Sequence, residues 1–86
     1  MELHQLVKEQ NEMVKERQQK ELSDLIQYFH SQSRLGRALG VSRFVVNRWV
    51  SRGRISATAA IQVEKITQGK FKKENLRPDV LVWNKE

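Results

Sequence analysis

Residues 31–50 read SQSRLGRALGVSRFVVNRWV, and this stretch sets the fold. Leu35, Ala38 and Leu39 recur at i, i+3 and i+4, the spacing of one face of a short helix. Val45, Val46, Trp49 and Val50 make a similar stripe on a second helix. Between them lie Gly40-Val41-Ser42, a glycine able to close one helix in the left-handed conformation and a serine able to cap the next. Gly36 falls where the two helices cross, and only a small residue permits close approach there, at about 1 kcal/mol of helix propensity relative to alanine. Two short helices joined by a glycine-containing turn of three or four residues form a helix-turn-helix, whose second helix typically enters the DNA major groove.

The exposed positions of that second helix are Arg43, Phe44, Asn47 and Arg48. Arginine, asparagine and an apolar group set against a thymine methyl are the side chains that read base edges. Taken singly, each has a plain explanation, since glycine turns and solvated arginines occur in many helical bundles. Their coincidence on the face opposite a core stripe is what points to DNA.

Working outward, Ser31 caps the first helix of the motif, about 32–39, and places Gln32 in its first turn, with amide and side chain available to a phosphate. The recognition helix runs about 42–51 and ends at Arg52-Gly53-Arg54. Ser56 caps a further helix, about 57–67, with Ala57, Ala60, Ile61, Val63 and Ile66 as its apolar set and Gly69 as its stop. One more turn fits at 72–76, before Pro78. Val80, Leu81, Val82 and Trp83 form an apolar tail that either packs over the bundle or offers an edge to a partner, and packing is the reading preferred.

Upstream, residues 2–29 contain neither glycine nor proline and favour helix, but their apolar stripe is broken. Leu3, Leu6, Val7, Met13 and Val14 share one face, residues 15–21 carry no apolar side chain, and Leu22, Leu25, Ile26 and Phe29 resume on a face rotated by roughly 110°. Residues 22–30 are therefore the first helix of a domain spanning 22–86, and residues 1–21 an N-terminal helical extension. That extension is either continuous with the first helix or restarts at Ser23-Asp24. Its stripe has no partner within the domain, so it pairs with a second copy of the chain or with its own bundle; a homodimer is the expectation.

Charge is unevenly distributed along the 86 residues, which carry a net +6. Residues 1–30 hold four basic and six acidic side chains, residues 31–73 ten basic against Glu64 alone, and residues 74–86 two against three. The segments thus carry −2, +9 and −1. Such a concentration is the electrostatic footprint expected of phosphate-backbone binding. A lipid-binding surface would pair basic residues with a broad aromatic face, a pattern missing here. With no cysteine, two widely separated histidines (His4 and His30) and no nucleophile–base grouping, the sequence offers no enzyme, no metal site and no cofactor or small-molecule site. No run of about 18 apolar residues and no signal pattern is present, so a soluble intracellular protein is expected.

Ser31-Gln32-Ser33, Leu39-Gly40-Val41-Ser42, Asn47-Arg48-Trp49, Gly53-Arg54-Ile55, Ala60-Ile61 with Val63-Glu64, and Leu76-Arg77-Pro78-Asp79 together resemble the Cro/YdaS family of prophage-encoded regulators, over residues 22 to about 83. The resemblance implies an all-α, lambda repressor-like helix-turn-helix bundle of four to five helices, here with an N-terminal helical extension. It further implies a cytoplasmic, nucleoid-associated repressor acting at an operator of a phage or prophage promoter; the alternative is a toxin–antitoxin component or a protein-interaction module acting through the N-terminal helix. By position, Arg43, Phe44, Asn47 and Arg48 match base-reading residues. Gln32, Ser33 and Ser42, together with Arg52 and Arg54, are assigned to the DNA backbone. Ser56 replaces a frequent proline and Phe44 a frequent small polar residue, so base preference does not transfer at position 44.

Overall fold

The computed structural model describes the backbone of residues 3–80 and 83, and the side chains of residues 14–80 and 83. Its elements are α1 (Leu3–Phe29), α2 (Gln32–Leu39), α3 (Arg43–Arg52), α4 (Ala57–Ile66) and α5 (Lys73–Leu76), and no strand occurs among the described residues. The expected all-α bundle is thus observed.

Local chemistry punctuates the middle of the chain. Ser31, Ser42 and Ser56 each adopt extended backbone, and each Oγ accepts a hydrogen bond from an amide three residues on, at Arg34 (3.1 Å), Val45 (3.3 Å) and Ala59 (3.2 Å). Each such cap satisfies an amide that the helix leaves unpaired. Gly40 (φ 74°) closes α2 in the left-handed region, and Val41 N–H then returns to Gly36 O at 2.8 Å. What approaches Gly36 is the backbone of the turn itself: a Cβ there would stand 2.7 Å from Val41 O.

A single core joins the helices. It contains Leu22 and Leu25 of α1, Leu35 and Leu39 of α2, Val46 and Trp49 of α3, Ile55, the α4 face Ala59, Ala60 and Val63, and Phe71 and Leu76. Several apolar expectations need correction. Ile61 (36% exposed) and Ile66 (46%) point outward, as do Ala38 and Val50, whereas Ala59 faces inward. The inner edge of α4 continues from Val63 to Thr67, whose hydroxyl donates to Val63 O (2.7 Å) and accepts from Phe71 N–H (3.2 Å). That pair of bonds buries a polar residue and turns the chain so that Phe71 enters the core from within the lysine-rich segment. The amide of Lys73 is then capped from a distance, by Glu64 Oε1 at 2.8 Å.

α1 is one uninterrupted helix, so the restart at Ser23-Asp24 does not occur; Asp24 pairs with Lys20 at 3.1 Å along the helix instead. The polar turn at 15–21 is not a bare spacer either. Gln18 is 4% exposed and its Nε2 donates to Asp79 Oδ1 at 2.6 Å, while Gln19 lies over Gly53, within 3 Å of where a Cβ would be. The bundle therefore engages α1 one turn before Leu22. Of the apolar face on which the homodimer expectation rested, Leu3, Leu6, Val7 and Met13 lie outside the described side chains, as do Leu81 and Val82, and Val14 is half-buried.

Asp79 ties the ends of the chain together. Its carboxylate accepts from Arg77 Nε (2.9 Å) and Nη2 (2.8 Å), from Gln18, and at 3.5 Å from Arg54 Nη1; Arg77 Nη1 donates in turn to Ile55 O at 3.1 Å. Trp83 folds back over this knot, its Nε1 donating to Arg77 O (2.9 Å) and its ring lying 5.5 Å from the Lys73 ammonium, so the preferred packing of the tail is realised at Trp83. The hydrogen bonds and charge of Arg77 hold the Asp79 carboxyl below its usual range. A carboxyl depressed in the folded state contributes stability above its unfolded pKa of about 3.9 and loses it as pH falls through the folded value. Asp79→Asn is accordingly expected to melt below the parent protein at neutral pH, with the gap closing under acid. Thermal midpoints of both proteins against pH test this, and a gap that does not narrow would break the linkage.

Candidate nucleic-acid interface

The helix-turn-helix presents the outer face of α3. Because Val46 and Trp49 are drawn into the core, the side of α3 turned away from them must point out, and Arg43, Phe44, Asn47 and Arg48 are all exposed. Phe44 is 71% exposed, the most exposed of the large apolar side chains among the described residues. The Arg43 guanidinium sits over its ring, 5.4 Å from the centroid.

α2 presents its N-terminus beside that face. Ser31, Gln32, Ser33, Arg43, Phe44 and Asn47 line one concavity of about 460 Å³. Across it Asn47 Nδ2 donates to Gln32 Oε1 at 3.4 Å, a long bond that leaves the Gln32 amide nitrogen and the Asn47 amide oxygen free for a ligand. Ser42 Oγ is engaged as an acceptor by its capping bond, so its hydroxyl hydrogen remains available to an anion. Apart from Arg48, which is exposed on α3 but lines neither concavity, the predicted residues fall into two groups. Gln32, Ser33, Ser42, Arg43, Phe44 and Asn47 gather at the N-terminal end of α3. Arg52 and Arg54 lie at the other end.

There a second concavity of about 500 Å³ is lined by Lys15, Gln18, Gln19, Arg52, Gly53 and Arg54. The ten residues of α3 separate the two by about 15 Å at 1.5 Å per residue. Lys15 was not anticipated as a site residue; it belongs to the polar turn, and only the docking of Gln18 and Gln19 brings it near Arg52. Arg54 is half exposed and only partly engaged by Asp79, at 3.5 Å, a long ion pair of a kind that contributes little and leaves the guanidinium available to another anion.

The first concavity carries positive charge only, whereas the second has the Asp79 carboxylate behind its Gln18 and Arg54. No carboxylate occurs between residues 31 and 63, and none lines either surface. Among the described residues no group of acidic or histidine side chains is placed to hold a metal ion, and no helix is long and apolar enough to cross a membrane.

A protein-family model described as bacterial toxin YdaS matches residues 22–85 of the chain, which takes in α2 to α5 and the domain-facing part of α1. Neither the curated proteins nor the solved structures yield a match.

Proposed function

The chain belongs to the bacterial toxin YdaS family, and from that premise we propose that it is a sequence-specific double-stranded DNA-binding transcription regulator, a Cro-like repressor of a phage or prophage promoter. The observation that carries this reading is the outward face of α3, where Arg43, Phe44, Asn47 and Arg48 stand together on a surface without a carboxylate. In the proposed complex α3 lies in the major groove. Arg43 and Arg48 offer guanidinium donors suited to guanine, and Asn47 an amide suited to adenine. Gln32, Ser33 and Ser42 hold the phosphates beside the N-terminal end of α3, and Arg52 and Arg54 those beyond its C-terminal end. Gln32 also steadies Asn47, so that less side-chain freedom is lost on binding. The reading involves no catalytic step and no cofactor. A homodimer on an operator of two half-sites, inside the bacterial cell, completes it, because a single recognition helix covers few base pairs.

Selection of duplexes from a random pool, followed by titration of variants, tests the proposal. Arg43→Ala and Asn47→Ala are each expected to weaken the preferred site by about 1–3 kcal/mol and to relax selection at one or two bases. Arg54→Ala should weaken all duplexes alike. Unchanged base preference in both of the first two variants would remove α3 as the reader.

The word toxin in the family description favours a second reading, a toxin–antitoxin component, and for that reading we propose a protein partner met through the N-terminal helix. Growth arrest on overproduction separates the two. Arrest that disappears with Arg43→Ala runs through DNA, and arrest that persists runs through a protein partner.

A further inference from the structure

We infer that Phe44 reads the 5-methyl group of a pyrimidine, so that the base beneath it is thymine or 5-methylcytosine and the protein's occupancy of its site responds to that methyl. The inference rests on the DNA-reading assignment above and adds to it the chemical group recognised at one position. Phe44 does nothing for the fold: it is 71% exposed, outside the core, and its described aromatic contact is with the solvent-exposed Arg43. It stands in the first turn of α3, the end of a recognition helix that approaches base edges. Arg43 lies over the ring and restrains it, which lowers the entropy of ordering it against a partner.

The surroundings select the partner's chemistry. The concavity around Phe44 is otherwise lined by Ser31, Gln32, Ser33, Arg43 and Asn47, all polar or cationic. A protein partner's apolar anchor would meet no apolar rim here, whereas a duplex needs this combination of donors, positive charge and one apolar spot. In the major groove the only apolar group on a base edge is the methyl at pyrimidine C5. Cytosine and uracil lack it; thymine and 5-methylcytosine carry it at the same place. A phenyl ring has no hydrogen-bonding group with which to tell thymine from 5-methylcytosine, so it senses the methyl itself.

The experiment takes the duplex won by the full chain from a random pool. Each thymine is replaced singly by uracil, and each cytosine singly by 5-methylcytosine, with binding measured for the parent protein, Phe44→Ala and Phe44→Leu. The expected result is one position at which the methyl strengthens binding about fourfold, the factor for burying one methyl-sized group. The effect should vanish in Phe44→Ala and persist in part in Phe44→Leu, with preference at all other positions kept. If the parent selects a duplex yet is indifferent to every methyl, or if the methyl effect survives in Phe44→Ala, the inference is wrong and the DNA-reading assignment stands. If no duplex is preferred over the pool, that assignment fails and the inference falls with it.

Discussion

Gly36→Val is expected to lower the thermal midpoint by 10 °C or more, corresponding to about 2–3 kcal/mol in a domain of this size. A Cβ at Gly36 would stand 2.7 Å from Val41 O and 3.3 Å from the carbonyl carbon and oxygen of Ser42, all of them backbone atoms that cannot rotate aside. The turn from Gly40 to Ser42 must then shift, and it carries the cap of α3. Even Gly36→Ala should be net destabilising, because the roughly 1 kcal/mol gained in helix propensity works against an overpacking term of about 1–3 kcal/mol. Gly40→Ala gives the contrast. A Cβ there meets nothing within 4 Å, and the loss, about 1–2 kcal/mol, comes from the left-handed backbone alone. Calorimetry of the three variants separates the two mechanisms. A Gly36→Ala protein as stable as its parent would show that the turn gives way at no cost.

Salt is expected to change DNA affinity more than any single substitution. If three to five of the ten basic side chains in residues 31–73 meet phosphates in each subunit, log K falls against log salt with a slope of about −2.7 to −4.5. Raising salt from about 50 to 200 mM then weakens binding roughly 40- to 500-fold per subunit. Arg54→Ala should flatten the slope by about 0.9, because its guanidinium is exposed and held only by a long pair to Asp79. Lys15→Ala should do the same if the cleft it shares with Arg52 and Arg54 follows the backbone. A slope near zero for the parent protein would mean that the basic segment does not contact DNA.

The helix-turn-helix was legible in the sequence because everything that sets it is local. Three serine caps act over three residues, Gly40 and Gly53 end their helices through their own φ, and the Leu35–Leu39 and Val46–Trp49 spacings need only the helical period. The readable part of the candidate site, Arg43 to Arg48, follows from the same register. What escaped depends on residues far apart in the chain. Gln18 is buried because Asp79, 61 positions later, accepts its amide, and Phe71 because Thr67 and Glu64 bend and cap the segment that holds it. No periodicity within 15–21 or 70–73 encodes those partners. On α4 the apolar pattern places Ala60 and Val63 correctly as inward, but hydropathy alone sets Ile61 and Ile66 with them, whereas the third inward residue is the smaller Ala59.

The knot at Asp79 bears on how the protein is made. The reading pair α2 and α3 is joined by contacts close in sequence, although its buried side chains belong to the one core that all five helices share. The part of α1 that docks through Gln18 must wait for residues 76–79, which supply Leu76 to the core and Asp79 to the amide. During synthesis from the N-terminus, more than fifty residues therefore leave the ribosome between Gln18 and its acceptor. A chain cut short before Leu76 would keep the DNA-facing side chains of α2 and α3 on an unlocked bundle, with an unpaired glutamine where a buried bond belongs. Completion of the last turn thus acts as a check on the whole molecule, and fragments that retain every DNA-facing side chain are predicted to be the ones most quickly degraded.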